Sequence, residues 1–166
     1  MIKKIVIVLL VVFSSLVFAK DEVIPNFQLN NLLNTKVSLY EFTQEKQLTF
    51  LCFFATWCSY CEKDIVGFEE LNKKYQNKKI GFVAISFDKK ISTVETYVKV
   101  KKLTYPVVMG NSKIAEYFSI RGIPVTVVLN ENNEIIDKVV GYMESAYFEA
   151  IINKKLGESK KHDEIK

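Results

Sequence analysis

Histidine is nearly absent from this chain: one residue in 166, His162, in a polar stretch near the C-terminus. That scarcity excludes most histidine-based metal centres and acid–base chemistry. Arginine is as scarce, with Arg121 alone, and the lysines are scattered. No arginine-rich face is therefore available, and no nucleic-acid partner is expected. Cysteine occurs three times, too few for a disulfide scaffold in a chain this long. No Pro/Gly/Ser-rich linker, internal repeat or low-complexity block divides the chain, and its length suits one domain. Charge is not extreme, with 23 basic against 19 acidic side chains giving +4. What is plentiful is apolar: hydrophobic residues make up 49% and charged ones 25%, the balance of a globular domain and not of a disordered chain.

The N-terminus reads as a separate object. Lys3 and Lys4 precede an apolar stretch from Ile5 to Ala19, broken only by Ser14 and Ser15. A basic start, a short apolar run and small residues before a cut form a secretory signal pattern. Val17 and Ala19 suit the −3 and −1 positions before the cut, so residues 1–19 are expected to be a signal peptide cleaved after Ala19. The run falls short of the roughly 20 residues of a membrane span; the alternative is an uncleaved anchor. Either way the protein is expected in the periplasm or another extracytoplasmic space, where disulfides persist.

The remaining chain is expected to form one domain over 20–157 and a charged, mobile tail over 158–166. A short strand around Asn26–Leu29 and a partner at Val37–Leu39 suggest an N-terminal hairpin. Leu48–Ala55 and Ile80–Phe87 are continuous apolar runs of strand length, which suits strands covered on both faces. From Cys58 to about Tyr75, Ile65, Phe68, Leu71 and Tyr75 recur at helical spacing. Ser92 with Glu95 reads as a capping box that opens a helix. Tyr105–Met109 suggests a short strand, and Ser112 starts a short helix through Phe118. Val125–Leu129 and Glu134–Val140 flank a polar turn as an antiparallel hairpin. Ser145 begins a last helix that Gly157 is expected to stop. Strands alternating with helices, then a hairpin and a helix, imply an α/β fold: a mixed central sheet with helices on both faces.

Chemistry concentrates in Trp57-Cys58-Ser59-Tyr60-Cys61, directly after the first buried strand and at the start of a helix. Two thiols three positions apart there can close a small disulfide ring. The free N–H groups and partial positive charge of a helix N-terminus favour the thiolate of Cys58. Cys61, one turn inward, is shielded and positioned to attack a mixed disulfide formed on Cys58, the minimum apparatus of thiol–disulfide exchange. Covalent haem attachment needs histidine after the second cysteine, and position 62 is glutamate. Zinc needs four ligands, which Cys52 and His162 do not complete. No metal or cofactor is expected. A purely structural disulfide is the plain alternative.

The stretch FFATWCSYC resembles the FWATWCxxC segment of thioredoxin-fold proteins, particularly the exported TlpA/ResA/CcmG-like thiol–disulfide oxidoreductases. PNFQLNNLLNTKVSLYEF is similar to that family's N-terminal hairpin, and YFSIRGIPVTVVLNENNEII to its cis-proline, strand and turn. The span between Cys61 and Pro124 leaves room for the family's central insertion. The resemblance implies a cis Ile123–Pro124 bond facing the disulfide, with Trp57, Ile123 and Pro124 forming the substrate-binding surface. An ordinary trans proline at the start of a strand is the alternative for Pro124. The resemblance also implies that Asp64 takes the proton of Cys61 during attack, although the family more often has Glu followed by proline and here Ile65-Val66 follows. The alternative for Asp64 is a solvated position on the helix surface. Trp57 shields the disulfide or belongs to the core, and Cys52 packs as a small hydrophobe.

These readings lead to an exported protein-disulfide reductase working through Cys58 and Cys61, as a monomer. A membrane thiol–disulfide donor would recharge it, and by resemblance apocytochrome c haem-site cysteines are its clients. A general dithiol oxidase is the alternative within the same chemistry. A peroxiredoxin wants Thr-x-x-Cys, whereas Thr56 and Cys58 are only two apart. A copper-handling module wants a Cys-x-x-x-Cys and a histidine.

Overall fold

The structure, a computed structural model, describes residues 23–163. The leader expected over 1–19, with its cleavage site, lies outside the described residues. In chain order the elements are β1 (Gln28–Asn31), β2 (Lys36–Ser38), α1 (Tyr40–Thr43), β3 (Leu48–Phe54), α2 (Ser59–Lys74), β4 (Ile80–Ser86), α3 (Ile91–Lys101), β5 (Val107–Met109), α4 (Ser112–Tyr117), β6 (Val125–Asn130), β7 (Ile135–Val140) and α5 (Ser145–Asp163). Among the described residues no helix is long and apolar enough to cross a membrane.

The two strands with no polar alternation take the centre of the sheet, because only there are both faces covered. β3 and β4 are buried at all their positions and run parallel, with Phe54 opposite Ser86. β6 closes the other side of β3 antiparallel, and the seven strands follow the order β2-β1-β5-β4-β3-β6-β7. Side chains along β3 alternate between two cores. Leu48, Phe50, Cys52 and Phe54 face one cluster with Phe68 of α2 and Phe148 of α5, while Leu51 and Phe53 face another with Ile114 and Phe118. Phe50 stacks on Phe82 at 5.1 Å and meets the ring edge of Phe148 at 5.8 Å. Those rings tie β3, β4 and α5 into one packed unit. The segment between Cys61 and Pro124 contributes β5, which lies between β4 and β1 and so joins the N-terminal hairpin to the sheet.

Three local expectations need correction, and one element is additional. The first hairpin lies two residues later than expected on its N-terminal side. The Asn26 carboxamide accepts from Ser38 Oγ at 2.6 Å and Tyr40 N at 3.1 Å, which fixes Asn26 as an anchor ahead of the strand. The single turn α1 follows that anchor and has too little periodicity to be read in advance. The Ser92–Glu95 capping box does not form, because α3 starts at Ile91 after Lys90 and Ser92 is already helical. Finally, α5 does not stop at Gly157 but continues to Asp163, so the stretch expected as a mobile tail is helical as far as 163. A glycine stop needs a left-handed residue, and Gly157 is not among those with positive φ. Within a helix it costs only about 1 kcal/mol, too little to end one flanked by lysine, leucine and glutamate.

Candidate active site

β3 ends at Phe54, and a tight turn follows in which Cys58 N donates to Ala55 O at 3.1 Å. Cys58 is then the N-cap of α2, with extended backbone (φ −93°, ψ 107°). Its sulfur does what a Ser or Asp oxygen usually does at that position, accepting from the Cys61 N–H at 3.2 Å. Cys58 and Cys61 form a disulfide with 5.2 Å between their Cα atoms. Cys58 is half-buried, whereas Cys61 is fully buried against Phe54 and Ile65.

The loop before β6 meets this disulfide from the other side. Ile123–Pro124 is a cis peptide, and the Ile123 carbonyl oxygen lies 3.9 Å from Cys58 Sγ. Pro124 O accepts from Gly141 N at 2.9 Å, which ties the loop to the end of β7. Trp57 is 74% exposed and has no place in the core, so the core alternative for it is set aside. Tyr60 is exposed too, and the Lys63 ammonium lies over both its ring and that of Tyr142, at 5.7 and 5.3 Å.

On α2, one turn after Cys61, is a buried carboxylate. Asp64 is 2% exposed, so it is not a solvated surface residue. Its Oδ1 accepts from Met143 N at 3.3 Å, and its Oδ2 has no hydrogen-bond partner. Burial raises its pKa from 3.8 to about 6, with the Met143 N–H pulling the other way. A cavity of about 190 Å³ between α2 and the start of α5 reaches it, lined also by Lys63, Tyr142 and Ser145. Cys52 is fully buried in β3, and burial, then the Asp64 charge, push its thiol far above the ordinary range. It stays protonated and packs as a small apolar side chain.

Two contributors are invisible in the motif. Met143 acts through its backbone N–H, which carries no side-chain signature. Asp88 accepts Thr56 N at 2.8 Å, Thr56 Oγ1 at 2.7 Å and Ser86 Oγ at 2.8 Å. The only signal for it is the register: with Phe54 opposite Ser86 in parallel strands, residues 56 and 88 follow side by side. Among the described residues no cluster of three or more His, Cys, Asp or Glu is arranged to hold a metal.

A cysteine pair at a helix tip, facing a cis-proline loop at the end of a mixed sheet, defines a thioredoxin-fold dithiol protein. Residues 21–138 match the AhpC/TSA family, and the chain belongs to that family. Its relatives include the thioredoxin-like protein YneN of Bacillus subtilis (strain 168), 32% identical over 122 residues covering 72% of this chain and 70% of the relative. The thiol-disulfide oxidoreductase ResA of Bacillus cereus (strain ZK / E33L) is 28% identical over 131 residues, covering 78% of this chain and 75% of ResA. Among solved structures, a thiol:disulfide interchange protein of the thioredoxin family from Chlorobium tepidum TLS superposes with a TM-score of 0.73 at 25% identity, covering 83% of this chain and 98% of that one. The expected resemblance to TlpA/ResA-type proteins therefore holds, and this protein is a thiol–disulfide oxidoreductase of thioredoxin fold.

Proposed function

We propose that the protein is an exported protein-disulfide reductase that attacks through Cys58 and resolves through Cys61. The observation that carries this reading is the asymmetry of the pair: a half-buried sulfur at the helix tip with a fully buried one behind it. In the reduced protein the Cys58 thiolate attacks one sulfur of a client disulfide, forming a mixed disulfide and expelling the other client sulfur as a thiolate. Cys61, giving its proton to Asp64, attacks Cys58 Sγ and releases the second client thiolate. The client gains two electrons and the Cys58–Cys61 disulfide forms. A dithiol donor at the membrane then restores the reduced pair.

The direction is supported by Asp64, whose negative charge above pH 6 disfavours a very stable thiolate at Cys58 and so makes the dithiol a better donor. The basic-then-apolar start at Lys3–Ala19 supports export. Similarity to the TlpA/ResA/CcmG type makes apocytochrome c the proposed client, with Trp57, Ile123 and Pro124 as the docking rim. Peroxide reduction is not supported: the Thr56 hydroxyl is committed to Asp88 and not to the Cys58 sulfur.

Trapping and potential together test the proposal. Cys61→Ala should accumulate mixed disulfides through Cys58, and Cys58→Ala should trap none. Trapping that depends on Cys61 would reverse the assignment. A reduction potential near that of thioredoxin is expected, whereas one near the strong periplasmic oxidants would make the protein an oxidase. Loss of covalent haem proteins in a deletion strain supports the client. Normal haem proteins with widespread loss of disulfides in secreted proteins would overturn it.

A further inference from the structure

We infer that Asp88 is a positioning residue for thiol–disulfide exchange, holding the turn that presents the Cys58 sulfur to the first N–H groups of α2. The inference rests on Cys58 being the attacking thiol and adds a residue that lies outside the cysteine motif.

Asp88 stands two residues past β4, as Thr56 stands two residues past β3, and the parallel register of the two strands brings them together. Three donors converge on its carboxylate. Oδ2 accepts from Thr56 N and Ser86 Oγ, both at 2.8 Å, and Oδ1 accepts from Thr56 Oγ1 at 2.7 Å. The carboxylate is itself held, since Asp88 N donates back to Ser86 Oγ at 3.0 Å. Ser86 is fully buried, its carbonyl accepts from Gly110 N at 2.7 Å, and Phe87 N donates to Phe54 O at 2.9 Å. The anchor is therefore fastened to the ends of β3, β4 and β5.

What it fastens is a short path to the reactive atom. Between Thr56 and Cys58 there is one residue, Trp57, which is exposed and unsupported by the core. Other restraints on the turn include the Cys58 N to Ala55 O bond at 3.1 Å and the Cys61 N–H on Cys58 Sγ at 3.2 Å. The second restraint is the one that stabilises a thiolate, and it depends on the turn's position. Without Asp88 the Thr56 N–H and hydroxyl lose their partner, the turn is free to shift, and the sulfur loses alignment with the helix tip. Misplacement of a reacting atom by an ångström is enough to cost one to two orders of magnitude in rate.

Asp88 also carries a negative charge, and the two effects have opposite signs. Position predicts that losing Asp88 raises the pKa of Cys58, while removing charge predicts that it falls. The experiment uses Asp88→Ala, Asp88→Asn and Thr56→Val in the full chain. The pH dependence of Cys58 alkylation by iodoacetamide gives its pKa, mass spectrometry identifies the alkylated cysteine, and a peptide disulfide gives the exchange rate. Asp88→Ala is expected to move the alkylation midpoint to higher pH and slow exchange about tenfold. Asp88→Asn keeps one acceptor oxygen and should shift less in the same direction, as should Thr56→Val, which removes only the hydroxyl bond. Should Asp88→Ala fail to fold, the other two variants carry the test. An unchanged midpoint in all folded variants, or a lowered midpoint of equal size in Asp88→Ala and Asp88→Asn, overturns the inference. Alkylation of Cys61 in place of Cys58 overturns the nucleophile assignment instead.

Discussion

Asp64 is the buried carboxylate of this site, and its proposed role is to take the proton of Cys61. Its folded-state pKa of about 6 lies above the unfolded value near 4. The folded protein therefore binds more protons over that interval, and stability falls as pH rises from about 4 through about 6. Asp64→Asn removes the titration while keeping an acceptor for Met143 N. The variant should equal the parent at pH 4 and exceed it at pH 8, by no more than about 3 kcal/mol and less where cavity water screens the charge. Denaturant unfolding of both proteins at the two pH values checks this, and equal stability at pH 8 would remove the claim of a penalised carboxylate. If Asp64 takes the Cys61 proton as proposed, the same variant should lose the rise in exchange rate near pH 6. Cys52, by contrast, is packing. Cys52→Ala should cost about 1 kcal/mol of stability and still permit trapping through Cys58 when combined with Cys61→Ala. A changed trapping pattern would give Cys52 a redox role after all.

At the scale of elements, two glycines behave differently from what their residue type suggests. A Cβ at Gly110 would meet Phe87 Cε1 at 2.6 Å, so Gly110→Ala must displace a ring from the end of β5. A loss of about 1–3 kcal/mol is expected by thermal or denaturant unfolding; a neutral result would mean that Phe87 moves aside at no cost. Gly157 has open space around it and lies inside α5. Gly157→Ala should stabilise by about 0.5–1 kcal/mol if the residue is helical, and destabilise if it is a left-handed stop. A stabilising change agrees with α5 running through Gly157.

The whole molecule has to hold two strand ends and one loop in fixed relation, since the site belongs to no single element. Phe50 lies where β3, β4, α2 and α5 meet, with ring contacts to Phe68, Phe82 and Phe148. Phe50→Ala should cost about 3–5 kcal/mol and lower the unfolding midpoint seen by near- and far-ultraviolet circular dichroism equally. Separate midpoints would mean that the two cores unfold independently. Because both cores share β3, one cooperative transition is expected.

Much of this was written locally. Unbroken apolar runs at Leu48–Phe54 and Ile80–Ser86 suit strands covered on both faces, so the two central strands are legible in the local sequence. Cys58 and Cys61 at a strand-to-helix junction likewise determine a dithiol, because spacing and helix polarity are local properties. Local reading failed at element ends: Asn26 bonds displaced a strand, α3 starts after Lys90 without the capping box, and Gly157 stayed helical. Tertiary structure decided what surrounds the dithiol turn and its helix. The Ile123 carbonyl, the Met143 N–H on Asp64 and the Asp88 anchor come from residues distant in sequence from Cys58. Their approach depends on strand order and register, which are set by the packing of the whole sheet and by no single segment.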